Sequence, residues 1–160
     1  MAGKDYLDSL VLVTGGQTGI DRATLDFCLE NRRPCGGWCP EGRMAEDGPL
    51  SLIYPVKELP GADYDQRTSA NVRDSDATVI FFAGALHGGT LKSYESVKKD
   101  VKPVLLLDMT LLDTGGAQSH LADFIERYRP GILNVSGPRE SEWPAGYDYC
   151  FEVLHMVFGK

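Results

Sequence analysis

A three-layer α/β fold, with a mostly parallel sheet of about five or more strands and helices on both faces, is predicted by two recurring features. Short apolar runs rich in β-branched residues alternate with segments of helical spacing, and the turns that close the runs are rich in glycine. Strands that alternate with helices in one short chain require parallel pairing through right-handed crossovers, which puts helices on both faces. A third observation bounds the architecture: 160 residues, 42% hydrophobic and 24% charged, with no Pro/Gly/Ser linker, read as one domain over residues 1–160. A chain of this length buries about 70% of its unfolded surface, so its core needs no disulfide or structural metal.

The first strand is Leu10 to Val13, closed by Thr14-Gly15-Gly16-Gln17-Thr18-Gly19 and followed by the helical spacing of Ile20, Ala23, Leu25, Phe27, Cys28 and Leu29. A weaker strand is expected at Cys35 to Trp38, then a turn-rich stretch from Cys39 to Pro49. Residues 63–74 form a polar helix in which Arg67, Asn71 and Asp74, at i, i+4 and i+7, share a face. Ala77 to Phe82 is a continuous apolar run, the pattern of a strand covered on both sides. After Gly84-Ala85-Leu86-His87-Gly88-Gly89-Thr90 a helix runs to about Lys99. Val104 to Leu107 and Ile132 to Val135 are the last strands, with helices at about Gln118 to Tyr128 and Tyr147 to Phe158.

Eleven of the 18 glycines (15, 16, 19, 36, 37, 42, 48, 84, 88, 89 and 137) fall at or just beyond strand ends. Ligands of such sheets bind outside the strands' carboxyl ends, so this distribution predicts one large cleft on that rim. The loop Thr14–Gly19 can approach a ligand closely and leads into a helix N-terminus suited to an anion, with Thr18 as a hydroxyl donor. It lacks the first glycine of a dinucleotide fingerprint and the Lys-Ser/Thr of a P-loop. His87-Gly88-Gly89-Thr90 repeats the chemistry after a second strand expected to neighbour the first, with His87 read as a surface residue. In Gly137-Pro138-Arg139-Glu140-Ser141, Arg139 can grip a phosphate bidentately. Trp38 either stacks on a flat heterocycle or packs into the protein, and Arg43 can meet an anion. Cys39 beside Pro40 is a candidate thiol whose role the sequence leaves open.

The net charge of −7 (16 Lys+Arg, 23 Asp+Glu) disfavours an extended nucleic-acid surface, because phosphate contacts come from clustered cations. It leaves room for a small anionic ligand. Five of the nine arginines (22, 43, 67, 73 and 139) lie within or beside the glycine-rich segments, so they are expected to gather at the cleft. The four cysteines contain no CxxC pair and read as reduced thiols. With no apolar run near the ~20 residues of a membrane span, a cytoplasmic location is expected.

Several segments together resemble the molybdenum (cofactor) carrier protein family: Gly15 to Arg22, Gly37 to Arg43 with Ala45 to Gly48, Arg67-Thr68 with Asn71 to Asp76, Gly88-Gly89-Thr90, and Asn134-Val135 with Gly137 to Ser141. The match spans most of the chain in the same order. That family is similar to the lonely-guy phosphoribohydrolases and DNA-processing protein A. The resemblance implies a Rossmann-like fold whose loops hold a nucleotide-like or pterin-phosphate ligand, with molybdenum cofactor as the named cargo and molybdoenzymes as receivers. The phosphoribohydrolase pattern PGGxGTxxE is broken here: His87 replaces the proline, the second glycine before the threonine is absent, and Ser93 stands three after Thr90, with Glu95 two positions later. This weighs against a transferred hydrolase mechanism.

The candidate binding set is Gly15, Gly16, Gln17, Thr18, Gly19, Asp21, Arg22, Trp38, Arg43, Arg67, Asn71, Asp74, Gly88, Gly89, Thr90, Gly137 and Arg139. The reading is a carrier, expected to form a homo-oligomer, that binds a phosphorylated heterocycle. The alternatives are a nucleotide hydrolase cutting an N-glycosidic or phosphate bond, with Asp21, Asp74, Glu95 or Glu140 as the catalytic carboxylate and Asp47 also at hand, and a nucleotide-ligand sensor.

Overall fold

The computed structural model describes residues 2–159. In chain order the elements are α1 (Lys4–Ser9), β1 (Val11–Val13), α2 (Ile20–Glu30), β2 (Cys35–Gly36), β3 (Trp38–Cys39), a 3-10 turn at Glu41–Arg43, β4 (Met44–Ala45), β5 (Gly48–Pro49), β6 (Lys57–Glu58), α3 (Tyr64–Arg73), β7 (Ala77–Phe82), α4 (Gly88–Asp100), β8 (Val104–Asp108), α5 (Thr114–Tyr128), β9 (Ile132–Ser136) and α6 (Gly146–Phe158). Five strands form an all-parallel sheet in the order β2-β1-β9-β7-β8. The last strand thus inserts between β1 and β7. The two glycine loops expected on neighbouring strands are one strand apart, and the Gly137 loop rises between them.

Helices α3 and α4 pack together on one side of the sheet; α2, α6 and α5 pack together on the other. The division follows from chain direction. The crossovers β1 to β2 and β8 to β9 move one way along the sheet and use α2 and α5. Those from β2 to β7 and β7 to β8 move the opposite way and use α3 and α4, as a constant crossover hand demands.

The two faces differ in chemistry. Leu12, Val79, Phe81, Leu133 and Val135 form one cluster with Phe27, Leu121, Ile125, Val153 and Leu154 from α2, α5 and α6. The alternate strand positions Thr78 and Asn134 point the other way, where α3 and α4 contribute buried Thr68, Asn71, Ser93 and Ser96. The α3 helix is fixed at its start by a capping box: Asp63 accepts the N–H of Gln66, and the Gln66 side chain accepts the N–H of Asp63.

Helix α1 and the short strands β4, β5 and β6 are not anticipated from sequence, and two predicted elements depart from the sequence reading. The strand expected over Cys35 to Trp38 breaks at Gly37 (φ 127°), and β3 pairs instead with β6 outside the main sheet. A side chain at 37 would reach within 2.0 Å of the Thr14 carbonyl oxygen, so the break follows from close packing against the first loop. Helix α5 starts four residues before Gln118, because the Asp113 side chain caps it by accepting the N–H of Gly116 at 2.7 Å.

Candidate ligand cleft

The carboxyl ends of β1, β9 and β7 place the first glycine loop, the 137–142 loop and the start of α4 around a cleft of about 240 Å³. Gln17, Asp21, Arg67, Gly88, Gly89, Thr90, Gly137 and Arg139 line it, joined by Tyr64, Asp65, Thr68, Ser136 and Glu142. The first loop is drawn against β9 by the Thr14 hydroxyl, which donates to the Val135 carbonyl at 2.9 Å. Gly19 (φ 76°) lets loop and loop meet, since a Cβ there would stand 2.4 Å from the Pro138 carbonyl oxygen. Gly16 takes φ 83° beside Leu50.

Arg67 reaches from α3 across the bare face of Gly15, and its Nη1 lies 3.5 Å from Asp21 Oδ2. The pair is almost enclosed, with side chains 11% and 6% exposed. Burial raises the Asp21 carboxyl above its ordinary value, while the Arg67 guanidinium, the Thr14 hydroxyl and the Gln17 N–H pull it partly back. The Nε of Arg67 is buried with no hydrogen-bond partner among the described residues. A buried donor left unpaired costs free energy that a bound acceptor would recover.

At the opposite wall, no described residue accepts from the N–H groups of Gly88, Gly89 or Thr90. They are the first turn of α4, where orphan donors and the helix dipole together favour an anion. A second recess of about 250 Å³ adjoins, sharing Thr90 and Glu142 with the first. Its other walls are Phe82, Ala83, Ala85, His87, Pro138 and Trp143, which suit a flat ring.

The remaining candidates are engaged within the protein. The expected gathering of five arginines reduces to two, Arg67 and Arg139. Arg22 forks onto Asp47 at 2.8 and 3.0 Å, Arg73 onto Asp74 at 2.9 Å, and Arg43 donates to the carbonyls of Leu50, Ser51, Tyr54 and Val56. Three cations that share the glycine-rich segments thus serve neighbouring carboxylates and backbone instead of the cleft. The Asn71 amide mimics a strand partner, accepting from the Trp38 N–H at 2.7 Å and donating to its carbonyl at 2.9 Å. It also borders a small recess beneath the cleft, together with Gly15. The Trp38 indole donates to Asp74 at 2.8 Å, so the stripe of Arg67, Asn71 and Asp74 sends only its first member to the cleft. Hydrogen bonding from Arg73, joined by Trp38 against partial burial, holds the Asp74 carboxyl down at about 2.

Thr18 turns toward Glu46, to which its hydroxyl donates, and accepts the Glu140 N–H at 3.1 Å. Glu46 also receives the Ser141 hydroxyl at 2.6 Å and the Ser141 N–H at 3.1 Å. Partial burial opposes its charge, but these bonds hold its carboxyl below the ordinary range. Glu95 lies in the separate groove between α3 and α4, and Glu140 is exposed on its loop. Cys39 is fully buried, and burial pushes its thiol up. Among the described residues no group of three or more His, Cys, Asp or Glu is placed to hold a metal ion, and no helix is long and apolar enough to cross a membrane. Glu46, Glu142 and Trp143 were not reached from sequence; the last two directly follow the Arg139-Glu140-Ser141 segment, whose reading stopped short of them.

A model of the circularly permutated YpsA SLOG family matches residues 12–158. The chain belongs to that family. A search of curated proteins gave no match for this family member. Among solved structures it is similar to the crystal structure of the "Putative molybdenum carrier protein" of Syntrophus aciditrophicus SB, at 34% identity and a TM-score of 0.90, over 94% of this chain and 96% of that one. The α/β fold and the likeness to carrier proteins expected from the sequence are thereby established.

Proposed function

We propose that the protein binds a phosphorylated heterocycle in the cleft and carries it without transforming it, with molybdenum cofactor as the cargo. The observation that carries this reading is the cleft itself. Two arginines and three unpaired helix N–H groups line its walls, and a second recess with Phe82, Pro138 and Trp143 among its walls adjoins it. Among the residues lining the cleft, no hydroxyl or thiol is hydrogen-bonded to a histidine or carboxylate that would activate it. The name of the 34%-identical structure supports the choice of cargo. The donor set suits the organic part of the cofactor: its phosphate at Arg67 and the α4 N-terminus, and its pterin in the recess walled by Phe82, Pro138 and Trp143. The carrier reading brings with it two partners, the molybdoenzymes that receive the cofactor and further copies of the chain, and a cytoplasmic setting.

The test is equilibrium binding of molybdenum cofactor released from a denatured molybdoenzyme, with AMP as competitor. Saturable binding that weakens at least tenfold in Arg67→Ala is expected. Absence of cofactor binding alongside tight binding of a different nucleotide would overturn the choice of cargo.

One observation favours hydrolysis as a second reading: of the four catalytic candidates, only Asp21 lines the cleft, and burial raises its carboxyl above its ordinary value. Product release from nucleoside monophosphates that is lost in Asp21→Asn supports this reading. Turnover that survives the substitution removes it.

A further inference from the structure

Glu142 stands where the two recesses meet and lines both. Its carboxylate is held from two sides: Arg139 Nε donates to Oε1 at 3.0 Å, and His87 Nδ1 lies 3.2 Å from Oε2. One partner comes from its own loop and the other from the residue that precedes α4, so the carboxylate bridges two of the three loops around the cleft. Oε1 uses one acceptor site on Arg139, and Oε2 lies against the imidazole of His87. Both oxygens keep acceptor capacity for a ligand, because a carboxylate has about four lone-pair positions.

We propose that Glu142 is the specificity-determining residue of the cleft and selects heterocycles that present two adjacent N–H donors on a 2-amino-4-oxo pyrimidine edge, the edge shared by guanine and pterin. This rests on the carrier reading above and narrows the ligand's ring. An acceptor-only pair of oxygens matches a donor–donor edge and mismatches adenine, whose ring nitrogen would face it lone pair to lone pair. Phe82, Pro138 and Trp143 provide the apolar walls for such a ring. The neighbouring recess, with Arg67 and the α4 N-terminus, receives the phosphate. Arg139 and His87 act as positioning residues. They hold the fork before the ligand arrives, so little ordering remains to be done on binding. Discrimination of this kind is strong because a wrong partner leaves buried polar groups unpaired.

The experiment is isothermal titration of the full chain with GMP and with AMP, repeated for Glu142→Gln and Glu142→Asp, with thermal unfolding to confirm that each variant is folded. GMP is expected to bind at least tenfold more tightly than AMP. The ratio should fall close to one in Glu142→Gln, whose amide offers one donor and one acceptor, and take an intermediate value in Glu142→Asp. Equal affinities in the unsubstituted protein, or a preference for GMP that persists in Glu142→Gln, would overturn the assignment. If neither nucleotide binds, released molybdenum cofactor is titrated into the protein and Glu142→Gln. Binding weakened at least fivefold by the substitution supports the assignment, whereas undiminished binding overturns it and leaves the carrier reading standing. No binding by any of the three ligands overturns both.

Discussion

Gly15 and Gly137 face the same spatial problem with different neighbours. A Cβ at 15 would stand 1.8 Å from Arg67 Nη1, the far end of a flexible side chain, whereas one at 137 would stand 2.3 Å from Cγ1 of Ile20, which is fully buried. Gly137→Ala is therefore expected to overpack the α2 contact and destabilise the fold by about 1–3 kcal/mol, read from the urea midpoint. Gly15→Ala instead displaces Arg67. Its cost should appear as at least a tenfold loss of ligand affinity with a smaller change in stability, and the reverse ranking would refute this account of the loop. Asp21 gives a prediction in pH. Its carboxyl is raised in the folded state, first by burial, so the folded chain holds that proton more tightly than the unfolded chain does. Relative to Asp21→Asn, the unsubstituted protein should gain stability as pH falls from neutral through the raised value and level off below the ordinary 3.8. A difference that stays flat with pH would show that the pairing with Arg67 cancels the burial.

Among the elements, Arg43 illustrates what a sequence conceals. Its place beside glycines suggested an anion contact, yet its guanidinium organises the segment from β4 to β6 by donating to four carbonyls at 2.8 to 3.3 Å. Backbone acceptors leave no mark in the side-chain sequence, so nothing in residues 50–56 signals the partnership. Arg43→Lys keeps the charge and loses the planar fork. It should destabilise the protein by on the order of 2–3 kcal/mol, with faster amide exchange at Leu50 and Tyr54. Unaltered exchange there would mean that the small cluster of Leu25, Cys39, Leu50 and Val56 suffices to hold the segment. The strands and main helices were legible because hydrophobic period and turn glycines are local signals. The insertion of β9 between β1 and β7 was not, since strand order is settled by crossovers tens of residues long. The cleft was half legible: Gly88, Gly89 and Arg139 follow from loop chemistry and Arg67 from the polar stripe of the 63–74 helix, whereas Glu142 and Trp143 depend on how α6 is approached after the loop turns back over the sheet.

For the molecule as a whole, the net charge of −7 and the difference between the sheet's faces belong together. Arg22, Arg43 and Arg73 are engaged by internal partners, and the cleft itself mixes Arg67 and Arg139 with Asp21, Asp65 and Glu142. That mixture supports the proposed reading of one shaped anion held by directed donors, unlike a broad basic field that would attract any polyanion. The α2, α5 and α6 face carries the large apolar core, while the α3 and α4 face mixes the polar Thr68, Asn71, Thr78, Ser93, Ser96 and Asn134 with a smaller apolar set, Ala70, Val72, Ile80 and Val97. Small polar side chains bury little apolar area, and local opening costs least where such area is scarce. In the proposed binding mode the ligand is gripped largely from that side, through Arg67 on α3 and the first turn of α4. Native-state hydrogen exchange should therefore show α3 and α4 opening at lower free energy than α2 and α6. Saturating ligand should slow exchange in α3 and α4 by far more than elsewhere, because binding closes the opening in which they part from the sheet. Equal protection of the two faces without ligand would contradict the energetic asymmetry. Protection by ligand confined to the loops would show that the cleft is rigid before binding and that its specificity is already set by the geometry of Arg67, Arg139 and Glu142.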